Sequence, residues 1–215
     1  MCWWWTKIEM KFKLLLFSFL FFSSSINSFA QAKNYRDSIR SFIDGYTKTH
    51  EVVIGSERQW LRFFPVDENY RIQCEFEPVE NSRWFKMESS GPVKKMYRIY
   101  GMAHFTFHDT LLKLNIYQSQ SLMETKEYRD YLFIPFTDLT SGNESYDGGR
   151  YFDFKSSDIL NKKFELDFNK AYNPYCAYVS NRYSCPIPPK ENNLPVAIRA
   201  GEKVFGKKHW IGIRY

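Results

Sequence analysis

Short runs of alternating apolar and polar residues fill most of the chain beyond about residue 70. Ile72, Cys74 and Phe76 alternate with Arg71, Gln73, Glu75 and Glu77. Phe105 and Phe107 alternate with His104, Thr106 and His108, and Leu112, Leu114 and Ile116 with Lys113 and Asn115. Phe164, Leu166 and Phe168 alternate with Glu165, Asp167 and Asn169, and Val196, Ile198 and Ala200 are expected to close the series. Successive side chains on a strand point to opposite faces, so a period of two describes strands with one buried face. Ser90-Gly91-Pro92, His108-Asp109 and Asp147-Gly148-Gly149 supply turns between the runs. The regular strand–helix rhythm of a parallel α/β fold is missing. The pattern therefore predicts a mainly β fold, an antiparallel sandwich or barrel. One helix precedes it: Tyr35, Ile39, Phe42, Ile43 and Tyr46 share a helical face, Asn34 stands where a cap belongs and Gly45 lies near the end. That helix is expected to lie as a flap or plug against the sheet. The stretch from Tyr172 to Pro195, rich in Pro, Asn and Tyr, is too long and irregular for a hairpin and is expected to be a long ordered C-terminal loop.

The N-terminal segment follows a different rule. Lys11 and Lys13 precede the apolar run Leu14 to Phe22, and Ser28-Phe29-Ala30 places small residues where a signal peptidase reads them. The run is shorter than the roughly 20 residues that span a bilayer. Residues 1–30 are therefore expected to be a cleaved secretory signal peptide, with translation starting at Met1 or Met10. Residues 31–215 would form a single mainly β domain, exported to the periplasm or the extracellular space and without a stable membrane span after cleavage. A chain of this size can bury a substantial core. Aromatics make up 19% of it, with 20 Phe and 15 Tyr, and these residues favour pleated, half-buried surfaces. The formal charge of +6 falls to +4 once Lys7, Lys11, Lys13 and Glu9 are removed. The basic residues are interleaved with acidic ones, as at Lys162, Lys163, Glu165 and Asp167, which argues against nucleic acid as a partner. The sequence leaves the oligomeric state open.

Recognisable catalytic and cofactor motifs are absent. The chain has no G-x-G-x-x-G, no phosphate-cradling glycine loop with lysine, no H-E-x-x-H and no G-x-S-x-G. No cofactor is expected. His104 and His108, four apart on an expected strand, lack the further ligands a metal needs and read as surface histidines, so no metal is expected either. Cys74 falls on the apolar face of its strand and is expected to be a buried thiol. Cys176 and Cys185 lie close together in the irregular segment. Outside the cytoplasm they suit a disulfide; two separate thiols, or a redox or metal pair, stay open as alternatives.

The second half resembles an uncharacterised prokaryotic family, domain of unknown function 1684. Four stretches carry the resemblance: LFIPFTDLTSGNESYDGGRYFDF from Leu132 to Phe154, LDFNKAYNPYCAY from Leu166 to Tyr178, CPIPPKENNLPV from Cys185 to Val196, and AIRAGEK from Ala197 to Lys203. A weaker match extends back to about Tyr35. Where the family commonly has Y-G-G-G-R, this chain has Tyr146-Asp147-Gly148-Gly149-Arg150; Asp tolerates turn geometry, so the fold should be unaffected. The resemblance implies one domain over most of the chain and brings no activity with it.

Arg150, Asp153, Asp167, Asn169, Asn173, Glu191 and Asn192 all fall in those stretches, beside Cys176. Arg150 is expected within salt-bridge reach of Asp153 or Asp167, bordering a solvent-accessible cavity formed partly by Tyr172 to Asn192. As a pocket, the group would bind a small polar or anionic molecule, Arg150 taking an anionic or carbonyl group and a carboxylate acting as hydrogen-bond acceptor. A carboxylate-dependent hydrolase is the enzymatic alternative, and a structural envelope protein the third. As a brace, the same Asn and Asp side chains would satisfy the backbone of an irregular loop.

Overall fold

The computed structural model describes residues 33–207. The expected signal peptide and both candidate start sites lie outside the described residues. A helix, α1, spans residues 33–49. Seven strands follow: β1 (Arg71–Pro78), β2 (Phe85–Lys86), β3 (Met96–Phe107), β4 (Thr110–Ser119), β5 (Tyr131–Phe136), β6 (Arg150–Lys155) and β7 (Lys163–Asp167). They form one antiparallel sheet in the order β6-β5-β4-β3-β1-β7, with β2 paired to β3. The sheet curls into a half-barrel. Its two edge strands approach on the inside, where Phe154 of β6 stacks on Phe164 of β7 with ring centroids 5.1 Å apart.

The alternation in sequence is the alternation of burial. Ile72 and Cys74 of β1, Phe105 and Phe107 of β3, Leu112, Leu114 and Ile116 of β4, and Phe164 and Leu166 of β7 turn into one main core. The β3–β4 hairpin closes through His108 and Asp109, both at positive φ (44° and 61°), the geometry whose twist matches that of paired strands. His108 thus sits in a turn rather than on a strand, while His104 bonds Glu77 across the sheet at 2.7 Å. β5 does not alternate: Leu132 to Phe136 are all buried. Leu132, Ile134 and Phe136 face the main core, and Phe133 packs on the other face in a second cluster with Tyr97, Tyr117 and Tyr151. Both faces of the sheet are therefore covered at this corner.

Three expectations need correction. The helix already includes Lys33, so Asn34 lies inside it, and it continues past Gly45 to residue 49. β7 stops at Asp167 because its carboxylate accepts the backbone N–H of Asn169 at 3.1 Å and turns the chain into a 3-10 turn, Phe168–Lys170. Val196 to Ala200 is not a sheet strand. Ile198 and Ala200 are buried as the pattern implies. However, the carbonyl of Val196 accepts from Leu139 N–H (3.1 Å), and those of Ile198 and Ala200 accept from the Arg150 side chain. Side-chain and loop donors replace the ladder.

Candidate functional site

Arg150 opens β6 after the Gly148-Gly149 turn. Gly149 has φ +84°, and a Cβ there would come 2.5 Å from the Phe136 carbonyl, so the turn needs glycine. Arg150 is 1% exposed and does not line the cavity described below. It pairs with Asp138 at 2.5 Å, donates to the carbonyls of Ile198 (2.8 Å) and Ala200, and lies over the ring of Phe136. The expected pairing with Asp153 or Asp167 is thus overturned, and strand parity explains why. Arg150 and Asp153 are three apart on one strand and so point to opposite faces. Asp167 has other donors. Its carboxylate accepts the hydroxyl of Tyr35 at 3.0 Å and the Asn169 amide at 3.0 Å, tying α1 to the end of β7.

The asparagines are braces. Asn169 exchanges hydrogen bonds with the backbone of Asp67 (3.1 and 2.8 Å). Asn192 is fully buried beside β4. Its side-chain amide bonds both the N–H and the carbonyl of Asn115 (2.8 and 3.0 Å) and the carbonyl of Pro135 (2.7 Å), as a neighbouring peptide would. Asn173 donates to the carbonyl of Lys203 at 2.8 Å. Glu191 is exposed, outside the cavity described below. Cys176 and Cys185 form a disulfide with Cα atoms 6.3 Å apart, and Cys74 is a buried free thiol that burial pushes up to about 12.

A second buried charge was not singled out from the sequence. Glu202 is 0% exposed and accepts from the backbone N–H of Asn173 (2.9 Å), from Tyr178 (2.7 Å) and from Tyr46 of α1 (3.1 Å). Burial raises its carboxyl to about 7 despite those donors.

The open feature lies at the sheet's edge. A cavity of about 1240 Å³ is lined from β6 by Tyr151 and Asp153, from β7 by Asp167, and from β3 and β5 by Tyr97 and Tyr131. The Tyr172–Pro186 segment adds Tyr172, Tyr175 and the Cys185 end of the disulfide, and α1 adds Phe42 and Tyr46. Rings run along its wall in sequence: Tyr97 to Phe133 (5.9 Å), Phe133 to Tyr151 (4.8 Å), Tyr151 to Tyr172 (5.9 Å), Tyr172 to Tyr46 (6.3 Å). Tyr172 is held there by an antiparallel bridge to Tyr151, which extends the sheet at its β6 edge. Asp153 is exposed and lines this cavity. Its carboxylate accepts the hydroxyl of Tyr172, and the Tyr131 hydroxyl faces it as well. Desolvation by the neighbouring rings raises its pKa above the usual carboxylate range, and these hydroxyls hold it back. Of the seven polar residues read from the sequence, Asp153 and Asp167 line the cavity. The tyrosines around Asp153 were missed. Their signal was the frequency of Tyr in and beside the matched stretches, at Tyr131, Tyr151, Tyr172 and Tyr175.

Fold and site together define a class: antiparallel β half-barrels with a tyrosine-lined cavity at the sheet edge and a buried arginine brace beside it. The sequence profile of the family described as "Protein of unknown function (DUF1684)" matches residues 58–203, and the chain belongs to that family. It is also similar to an uncharacterized protein of Haloarcula marismortui whose structure was solved by solution NMR. The two share 28% identity, the match covers 81% of this chain and 96% of that one, and the TM-score is 0.59. Among curated proteins, none matches. Among the described residues, no helix is long and apolar enough to cross a membrane.

Proposed function

We propose that this is an exported, non-catalytic binding protein that takes a small molecule into the cavity at Asp153. The carrying observation is an open cavity of about 1240 Å³ whose wall combines acidic side chains, the exposed Asp153 among them, with a continuous series of aromatic rings. Concave, mostly apolar sites with a few placed polar groups are where small ligands bind. Export is supported by the three-part N-terminal pattern and by the Cys176–Cys185 disulfide at the cavity's rim. The binding element is not Arg150, which the buried brace consumes. Hydrolysis by a carboxylate pair is less well supported, because Asp167, the second acid from the matched stretches, is occupied by Tyr35 and Asn169.

The test is a ligand-observed NMR screen of polar and amphipathic small molecules against the purified protein, with Asp153→Asn and Tyr151→Ala as controls. Hits that lose their signal in both variants, while the variants unfold cooperatively, support the cavity as the site. A screen in which every hit persists in both variants sinks it. Export is read separately: material secreted from the native gene should begin at Gln31.

A further inference from the structure

We infer that the cavity selects an organic cation, with an ammonium head seated on Asp153; this rests on the binding reading above. Asp153 is exposed in the wall of an aromatic cavity, where a ligand could bring a counter-charge to it. The basic residues beside it on β6 are committed elsewhere: Arg150 pairs with Asp138 across the opposite face, and Lys155 reaches Asp130 at 3.7 Å. Among the described residues, no lysine, arginine or histidine forms an ion pair with Asp153. Only tyrosine hydroxyls meet it, from Tyr172 and Tyr131.

The surroundings suit a cation that carries carbon. Tyr97, Tyr151 and Tyr175 stand close enough to Asp153 for its charge to hinder their ionisation. All of these phenols are shifted upward, so they are neutral across the physiological range and bring no phenolate charge to the cavity. Neutral aromatic faces around a carboxylate attract an alkylammonium through the ring quadrupole and cover its methyl groups at the same time. A bare metal ion finds a poorer setting, because among the described residues no three His, Cys, Asp or Glu side chains stand together as ligands. The cavity's own cations, Lys95, Lys170 and Arg182, form no ion pair with Asp153. Lys170 is 4.0 Å from Asp167, and Arg182 lies over the ring of Tyr183.

The test compares choline with its uncharged carbon isostere, 3,3-dimethylbutan-1-ol, by isothermal titration calorimetry on the purified protein. Choline should bind at least about tenfold more tightly, the scale of a partly desolvated cation–π and charge contact. Asp153→Asn should remove that preference while retaining a cooperative unfolding transition. Since Asp153 must be ionised, choline affinity should fall as pH drops through its raised pKa, whereas the isostere's should not. Equal binding of both probes, or a preference that survives Asp153→Asn, overturns the cation assignment and leaves the binding reading intact. If neither probe binds, the cation assignment is also overturned. The binding reading then falls only if the wider screen fails too.

Discussion

Replacing Arg150 by methionine isolates the buried brace, because methionine keeps much of the stem volume and removes only the guanidinium. Five contacts disappear: the 2.5 Å pair with Asp138, the bonds to the carbonyls of Ile198 and Ala200, and longer ones to the Glu202 carbonyl and the Thr140 hydroxyl. The Asp138 side chain is 0% exposed, so its charge cannot turn to water. It keeps two donors, the backbone N–H of Thr140 at 2.6 Å and the Thr140 hydroxyl at 2.5 Å, which moderates the loss. Breaking one side of a buried ion pair costs about 3–5 kcal/mol. For a chain of this size each kcal/mol lowers Tm by about 2–4 °C. The variant should therefore melt roughly 6–20 °C below wild type, on those same scales. Urea unfolding followed by tryptophan fluorescence gives the free energy, and Asp138→Asn with the double variant completes a cycle. The coupling between Arg150 and Asp138 should exceed about 1 kcal/mol. Probe binding at the Asp153 cavity should survive wherever the variant is folded, since Arg150 is not part of the lining. A loss of stability under about 1 kcal/mol, or a coupling near zero, would refute the brace.

Glu202 predicts a pH dependence. Its folded-state carboxyl is raised to about 7 from an ordinary 4.5, so between those values the native state holds a proton that the unfolded chain releases. Its contribution is fully present below about pH 4.5 and is lost as pH rises through about 7, on the order of 3 kcal/mol. Glu202→Gln should flatten that part of the stability–pH curve; an unchanged curve argues against it. Reducing the Cys176–Cys185 disulfide should destabilise the fold by about 2–3 kcal/mol, from loop entropy alone, as judged by urea unfolding with and without reductant. Equal midpoints would show that the bridge contributes nothing. Gly149→Ala should lower stability by more than about 1 kcal/mol, since an alanine there takes both positive φ and a 2.5 Å approach to the Phe136 carbonyl. A neutral effect in thermal unfolding would mean that the turn relaxes freely.

What the sequence made legible followed from local period. β1, β3, β4 and β7 each have one face towards the main core, so their alternation survived in the linear order of residues. β5 escaped because Phe133 packs on the reverse face while Ile134 and Leu132 pack on the main core, and a strand covered on both sides carries no alternation. Val196 to Ala200 failed in the opposite sense: it has the pattern of a strand, but the carbonyls of Ile198 and Ala200 are met by the side chain of Arg150 and that of Val196 by the loop N–H of Leu139, not by a neighbouring strand. The same logic separates the site residues. Periodicity says which face a side chain takes, and the odd spacing of Arg150 and Asp153 was enough to place them on opposite faces once β6 was known to be regular. What it could not supply was the partner across the fold. Asp138 lies twelve residues before Arg150, beyond a turn-rich loop, and Glu202 meets Tyr46 from a helix 156 residues away. Those pairings depend on how β6 closes against the C-terminal segment. That closure also explains why the brace and the cavity are neighbours yet independent: Arg150 is bonded to Asp138 and the C-terminal carbonyls, and the β6 residues that follow it, Tyr151 to Phe154, line the cavity. A change at Arg150 should therefore register in stability and one at Asp153 in binding.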